Sequence, residues 1–122
     1  MKDFRDLQVW RKVHFLALAS YRVTSKFPKP EMYGMTSQIR RCAASVAANI
    51  AEGCGKRGNA EFQRFLNIAS GSASELEYHF LLARDLGLMD KVKYGAMNAG
   101  VIEVKPMLAA LSRKVESERL AG

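Results

Sequence analysis

The sequence holds little that could build a β-sheet, a membrane span or a disulfide framework. Nowhere does a run of Val, Ile, Thr and aromatic residues alternate with polar ones between turn signals, which excludes strands as the dominant element. No apolar run exceeds the five residues of Phe15–Ala19, far below the ~20 that a membrane-spanning helix needs, so no membrane partner is expected. The opening Met1-Lys2-Asp3-Phe4-Arg5-Asp6 lacks the apolar stretch of a secretory signal, and a cytoplasmic address follows as an expectation. Of the two cysteines, Cys42 and Cys54 lie twelve apart in one expected helix. A rise of ~1.5 Å per residue separates them by roughly 18 Å, beyond disulfide reach. Without a C-x-x-C or a matching His pair, both read as buried small apolar thiols rather than a bridge or a metal pair.

Catalytic signatures are missing as well. No G-x-S-x-G, H-E-x-x-H or Walker loop occurs, and the paired Glu-x-x-His motifs of a di-metal bundle are absent. Gly53-x-Gly55-x-x-Gly58 matches the dinucleotide fingerprint by letters, with Glu75 and Glu77 near the place of a ribose-binding acid. That motif works as a strand-to-helix turn, and here a helix precedes it. Glu75 and His79 share a helix face as a lone pair; His79 is expected at the surface and His14 as a partly buried polar contact. The reading is therefore of a protein that is not an enzyme and takes no cofactor or metal.

What the chain does contain is helical periodicity. The 122 residues suit one core and a single domain, 1–122, and 48% apolar with 25% charged residues is the balance of a folded protein. A first helix, about 5–26, stacks Leu7, Trp10, His14, Ala17 and Tyr21 before Pro28 and Pro30 end it. A second, about 33–52, carries Met35, Ile39, Cys42, Val46 and Ile50. A third, about 60–86, opens on Asn59 as N-cap and aligns Phe62, Phe65, Ala69, Ala73, Leu76, Phe80 and Ala83, with Gly87 as its C-terminal cap. Its Ser70-Gly71-Ser72-Ala73-Ser74 predicts a tight helix crossing. The fourth, about 91–118, is capped by Asp90 and repeats Met97, Val101, Val104, Leu108, Leu111 and Val115 as a coiled-coil seam. Pro106 predicts a kink or a break near Val104–Pro106, and the last residues are expected to fray. Short connections make this an all-α, antiparallel up-down-up-down four-helix bundle. Phe15, Leu16, Leu18 and Ala19 leave the first helix apolar nearly all round, which predicts self-association.

Charge points to a polyanion. Lys and Arg number 19 against 12 acids, and residues 1–61 hold eleven bases with five acids. Lys56 and Arg57 beside the opening of the third helix read either as a one-phosphate site or as a solvated loop. On the second helix, Gln38, Arg41, Ser45, Asn49 and Glu52 form a polar stripe next to Ala43, Ala44, Ala47 and Ala48, read as an interface rather than plain solvated surface. Gln38, Ser45, Asn49 and Glu52 are its candidate oligomer contacts.

Phe4-x-x-Leu7-x-Val9-Trp10, Phe27-Pro28-x-x-Glu31-x-Tyr33-Gly34 and Gln38-Ile39-Arg40-Arg41-x-Ala43-x-Ser45-x-x-x-Asn49-Ile50-Ala51-Glu52-Gly53 together carry a family resemblance. With Glu61-Phe62-x-Arg64-Phe65-Leu66-x-Ile68-Ala69-x-Gly71-Ser72 and Glu75-Leu76-Glu77, they resemble the four-helix-bundle family encoded in intervening sequences of 23S ribosomal RNA. The resemblance implies a bacterial, non-enzymatic bundle assembling as a ring-like homopentamer. One branch of that family serves diversity-generating retroelements as an accessory protein, which implies DNA or RNA and a reverse transcriptase, or another protein, as partners. Within that reading the phosphate contacts fall to Arg40, Arg41, Lys56, Arg57 and Arg64, with Arg11 and Lys12 from the first helix. The expected function is nucleic-acid binding through backbone phosphates; the alternative is a protein-binding scaffold with no nucleic-acid role.

Overall fold

Local signals set most helix ends in the computed structural model, which describes residues 3–122. The Asp3 carboxylate accepts the Arg5 backbone N–H, Phe4–Asp6 makes one 3-10 turn, and α1 follows as Gln8–Thr24. A second 3-10 turn at Lys29–Glu31, opened by Pro28, leads to α2, Met35–Cys54. The remaining helices are α3, Asn59–Asp85, and α4, Lys91–Ala121. After α3, Gly87 takes φ 78°; its N–H donates to the Arg84 carbonyl and that of Leu88 to Ala83, closing the helix with a left-handed cap. Asp90 caps α4 through the Lys93 N–H at 2.8 Å.

The helices form an antiparallel up-down-up-down bundle. Each packs on its sequence neighbours and α1 closes against α4, while the diagonal pairs stay apart. One apolar cluster runs through all four. The rows expected on α2 and α3 are buried in full, joined by Leu66, and on α4 Leu111 alone is partly exposed.

Several expectations need correction. On α1 the buried residues are Val9, Val13, Leu16, Ala17, Ser20 and Thr24, whereas His14 and Tyr21 face outward. Ser20 and Thr24 enter the core because each hydroxyl donates to the carbonyl four residues back, Leu16 and Ser20, at 2.8 Å. Asn59 does not cap α3: it is already helical, and Gly58 at φ 79° occupies the cap position. Gly71 marks no close crossing, since a Cβ there would meet nothing within 4 Å. Neither a break at Pro106 nor fraying of the last turns occurs, and α4 is continuous from Lys91 to Ala121. Pro106 is exposed, as is Ile102, whose carbonyl loses its helical partner at the proline, so water can take that bond.

The tight approaches lie at two other glycines. Gly53, buried inside α2, would place a Cβ 2.9 Å from Phe65 Cβ and 3.0 Å from Phe62 Cδ1, both anchored at the α2–α3 contact. Gly100 on α4 would place one 2.9 Å from Leu16 Cδ1, the rotatable end of a side chain. Gly53→Ala is therefore expected to destabilise by about 1–3 kcal/mol, overriding the ~1 kcal/mol helix-propensity gain. Gly100→Ala should stay within about 0.5 kcal/mol of the parent, because the propensity gain offsets a small rotamer shift. Urea midpoints measured in parallel decide this, and the reverse order would refute the close α2–α3 packing.

Candidate functional site

The candidate phosphate ligands separate into two ends of the bundle. Arg40 and Arg41 lie near the start of α2, beside the end of α1, while Lys56, Arg57 and Arg64 lie at the opposite end, around the α2–α3 turn. Sixteen residues separate Arg41 from Arg57, or roughly 24 Å along a helix, so one chain does not join them into one patch.

Most of these cations already have partners. Arg40 donates through Nε to Thr24 Oγ1 at 2.9 Å and through Nη2 to the Tyr21 carbonyl at 3.3 Å, with its guanidinium 4.7 Å from the Tyr21 ring centroid. It ties α1 to α2. Lys12 reaches Glu103 on α4 at 3.1 Å, and Arg11 donates to the Arg5 carbonyl. Lys56 sits 3.8 Å from Glu52 and 5.7 Å from the Phe65 ring, while Arg64 pairs with Glu61 at 2.8 Å and lies over the same ring. Such exposed pairs contribute about 0–1 kcal/mol, so a phosphate could displace them. Arg41 and Arg57 make no ion pair or hydrogen bond among the described residues. Around Arg41 the chain from Arg22 to Arg41 holds Arg22, Lys26, Lys29 and Arg40 against one acid, Glu31. The chain thus passes from the end of α1 into α2 through a basic stretch, of which sequence reading singled out only Arg40 and Arg41.

The polar stripe of α2 borders α3 of the same chain. Ser45 and Ser72 hydroxyls meet at 3.0 Å, and Asn49 Nδ2 donates back to Ser45, so both are half-buried, while Gln38 and Glu52 are exposed. Gln38, Arg41, Cys42, Ser45, Ser72 and Glu75 line a cleft of about 200 Å³. The two histidine expectations reverse. His79 is mostly buried, 14% exposed in its side chain, whereas His14 is exposed and stacks on Trp10 at 4.8 Å. Burial pushes the Cys42 thiol up to about 11, and Glu75 beside it pushes the same way.

Room for another helix lies on the other side of α2. Ala44 and Ala48 are exposed and, with Trp10, Ala17, Leu18 and Tyr21 of α1, line an apolar groove of about 390 Å³. A second groove of about 580 Å³ lies between α1 and α4, lined by Phe15, Leu16, Ala19, Met97 and Gly100 and by the charged Arg11, Lys12 and Glu103. Phe15, 66% exposed, and Leu18, 45% exposed, form the ridge between them.

With this geometry in view, the model of the 23S rRNA-intervening sequence protein family matches residues 5–110, nearly the whole bundle. The chain belongs to this family. The intervening-sequence protein is also similar to a crystallised protein of unknown function from the S23 ribosomal protein family of Bacteroides thetaiotaomicron. That likeness has a TM-score of 0.77 at 26% identity and covers 85% of this chain and 97% of the other. No curated protein matches the chain. The matched residues take in α1, α2 and α3 whole and α4 as far as residue 110. No helix among the described residues is long and apolar enough to cross a membrane.

Proposed function

We propose that this intervening-sequence protein is a non-enzymatic, cytoplasmic, basic bundle that assembles with copies of itself, as a pentamer, and binds DNA or RNA through backbone phosphates with little sequence preference. The α1 ridge carries the reading: two large apolar side chains exposed between two grooves, the α1–α2 one apolar and the α1–α4 one mixed, suit a head-to-tail contact, the kind that closes into rings. The basic stretch around Arg41 supports a polyanion, since five cations face one acid from Arg22 to Arg41. Repetition around a ring multiplies that field. A reverse transcriptase or another protein is the partner the family resemblance adds.

A second reading, a protein-binding scaffold without nucleic acid, is favoured by the number of cations already satisfied within the chain, Arg40, Lys12, Lys56 and Arg64 among them. Light scattering with mixed-sequence DNA and RNA at roughly 50 and 200 mM salt separates the two. The first reading expects a particle near five times the 13.6 kDa chain mass that takes up nucleic acid at low salt and releases it at high salt. An Arg41→Ala, Arg57→Ala double variant should flatten the log-affinity against log-salt slope by about 1–2, at roughly 0.9 per phosphate on duplex DNA. A slope equal to the parent's would remove these two arginines from the contact. An oligomer indifferent to both polymers would leave the scaffold.

A further inference from the structure

Three side chains from two helices converge at the α2–α3 cleft without a role in phosphate binding or assembly. Cys42 comes from α2; Glu75 and His79, one helical turn apart, stand side by side on α3. Their donor atoms all lie within 4.8 Å of one another, and Glu75 Oε2 is 3.6 Å from His79 Nε2. That pair is too far apart for a hydrogen bond but suits two ligands of one ion: bonds of 2.0–2.3 Å at tetrahedral angles set donors about 3.3–3.7 Å apart. The Glu75 side chain is 58% exposed and can rotate towards the ion, and with Cys42 held in the core the Cys42–His79 distance is closed by the His79 ring.

His79 adds an independent sign. Both of its ring nitrogens are buried, and neither has a hydrogen-bond partner among the described residues. A neutral imidazole has one N–H donor and one acceptor nitrogen, and proteins rarely leave both unsatisfied when buried. A metal ion supplies what the acceptor nitrogen lacks.

We propose that Cys42 Sγ, a Glu75 carboxylate oxygen and His79 Nε2 form a site for a zinc-type divalent cation, with the fourth position open to the cleft. The mixed sulfur, nitrogen and oxygen set selects this class over magnesium or calcium, which take oxygen ligands. Binding converts the Cys42 thiol to a bound thiolate and releases one proton to solvent. The dication, the thiolate, the carboxylate and the neutral imidazole then sum to zero charge, and a water completes the tetrahedron. Arg41, the one cation lining the cleft, opposes an isolated dication, but the two anionic ligands offset it. The ion would link α2 to α3 at mid-bundle. Because the thiol starts protonated, facing Glu75 and His79 from α3 and Arg41 from its own helix, affinity should rise with pH. The site does not depend on the nucleic-acid reading.

The test is titration of the untagged full-length protein with Co²⁺ under reducing conditions. The expected result is a thiolate-to-cobalt charge-transfer band with strong tetrahedral d–d absorption, erased by one equivalent of Zn²⁺. Cys42→Ser should lose the charge-transfer band, and Cys54→Ser should keep it. Glu75→Gln, at an exposed position where the parent helicity is expected to persist, should weaken Co²⁺ binding at least tenfold. Absence of the band in the parent, its survival in Cys42→Ser, or an affinity unchanged in Glu75→Gln would each overturn the site.

Discussion

Phe80→Ala is expected to destabilise the protein by about 3–5 kcal/mol, the largest effect of any single truncation here. Phe80 is the largest side chain that is fully buried, at 0% exposure on α3. Its loss removes an aromatic transfer term and leaves a cavity, and the cavity cannot collapse easily. The other fully buried α3 positions include Ala69, Ala73 and Ala83, which have no atoms to spare for filling a hole. At this chain length the melting temperature should fall by roughly 10–20 °C. Urea unfolding at fixed protein concentration gives the free energy directly, and a loss under about 1.5 kcal/mol would mean that the α3–α4 layer is loosely packed. Phe80→Leu, which keeps most of the volume, should recover more than half of the loss.

The α2, α3 and α4 core rows were legible because aliphatic and aromatic residues recur every three or four positions with few apolar competitors. On α1 two rows compete, and the aromatic one, Trp10 to Tyr21, looked heavier. The structure buries Val9, Val13 and Leu16 with Ser20 and Thr24, whose hydroxyls are silent in a hydropathy pattern because they bond to their own backbone. Pro106 predicts a kink or a break because proline removes one bond. On the exposed side of a helix packed along its opposite face that loss is bearable.

Site residues were legible as types but not as neighbours. The sequence marks Arg40 as a basic residue on α2, but only the α1–α2 packing shows it spent on Thr24 and Tyr21. It marks Glu75 and His79 as a pair, but Cys42 joins them only across two helices. Lys12–Glu103 and Lys105–Glu77 are likewise products of helix pairing, with no local signal. The apolar surplus of α1 was visible, because a helix with more apolar faces than one core can use announces itself by count.

That surplus leads to the second large effect. Phe15→Glu, Leu18→Glu is expected to convert the proposed oligomer to single chains with helicity unchanged, since both positions are exposed within one chain. Burying a Phe and a Leu contributes about 1.5–3 kcal/mol each, so losing both weakens every interface by roughly 3–6 kcal/mol, or 10²- to 10⁴-fold. Placing two carboxylates against a neighbour's α1–α2 groove, where Trp10, Ala44, Ala47 and Ala48 offer no cation, adds an unpaired-charge cost in the same direction. A ring is more sensitive than a dimer, because one weak surface recurs at each contact. Light scattering at micromolar concentration reads the change, and the melting temperature of the variant should lose the concentration dependence expected of the parent. The core rows lie on the other faces of the helices, so circular dichroism separates disassembly from unfolding. If the double variant keeps the parent's mass, the ridge is not the interface, and the stripe from Gln38 to Glu52 becomes the surface to change next.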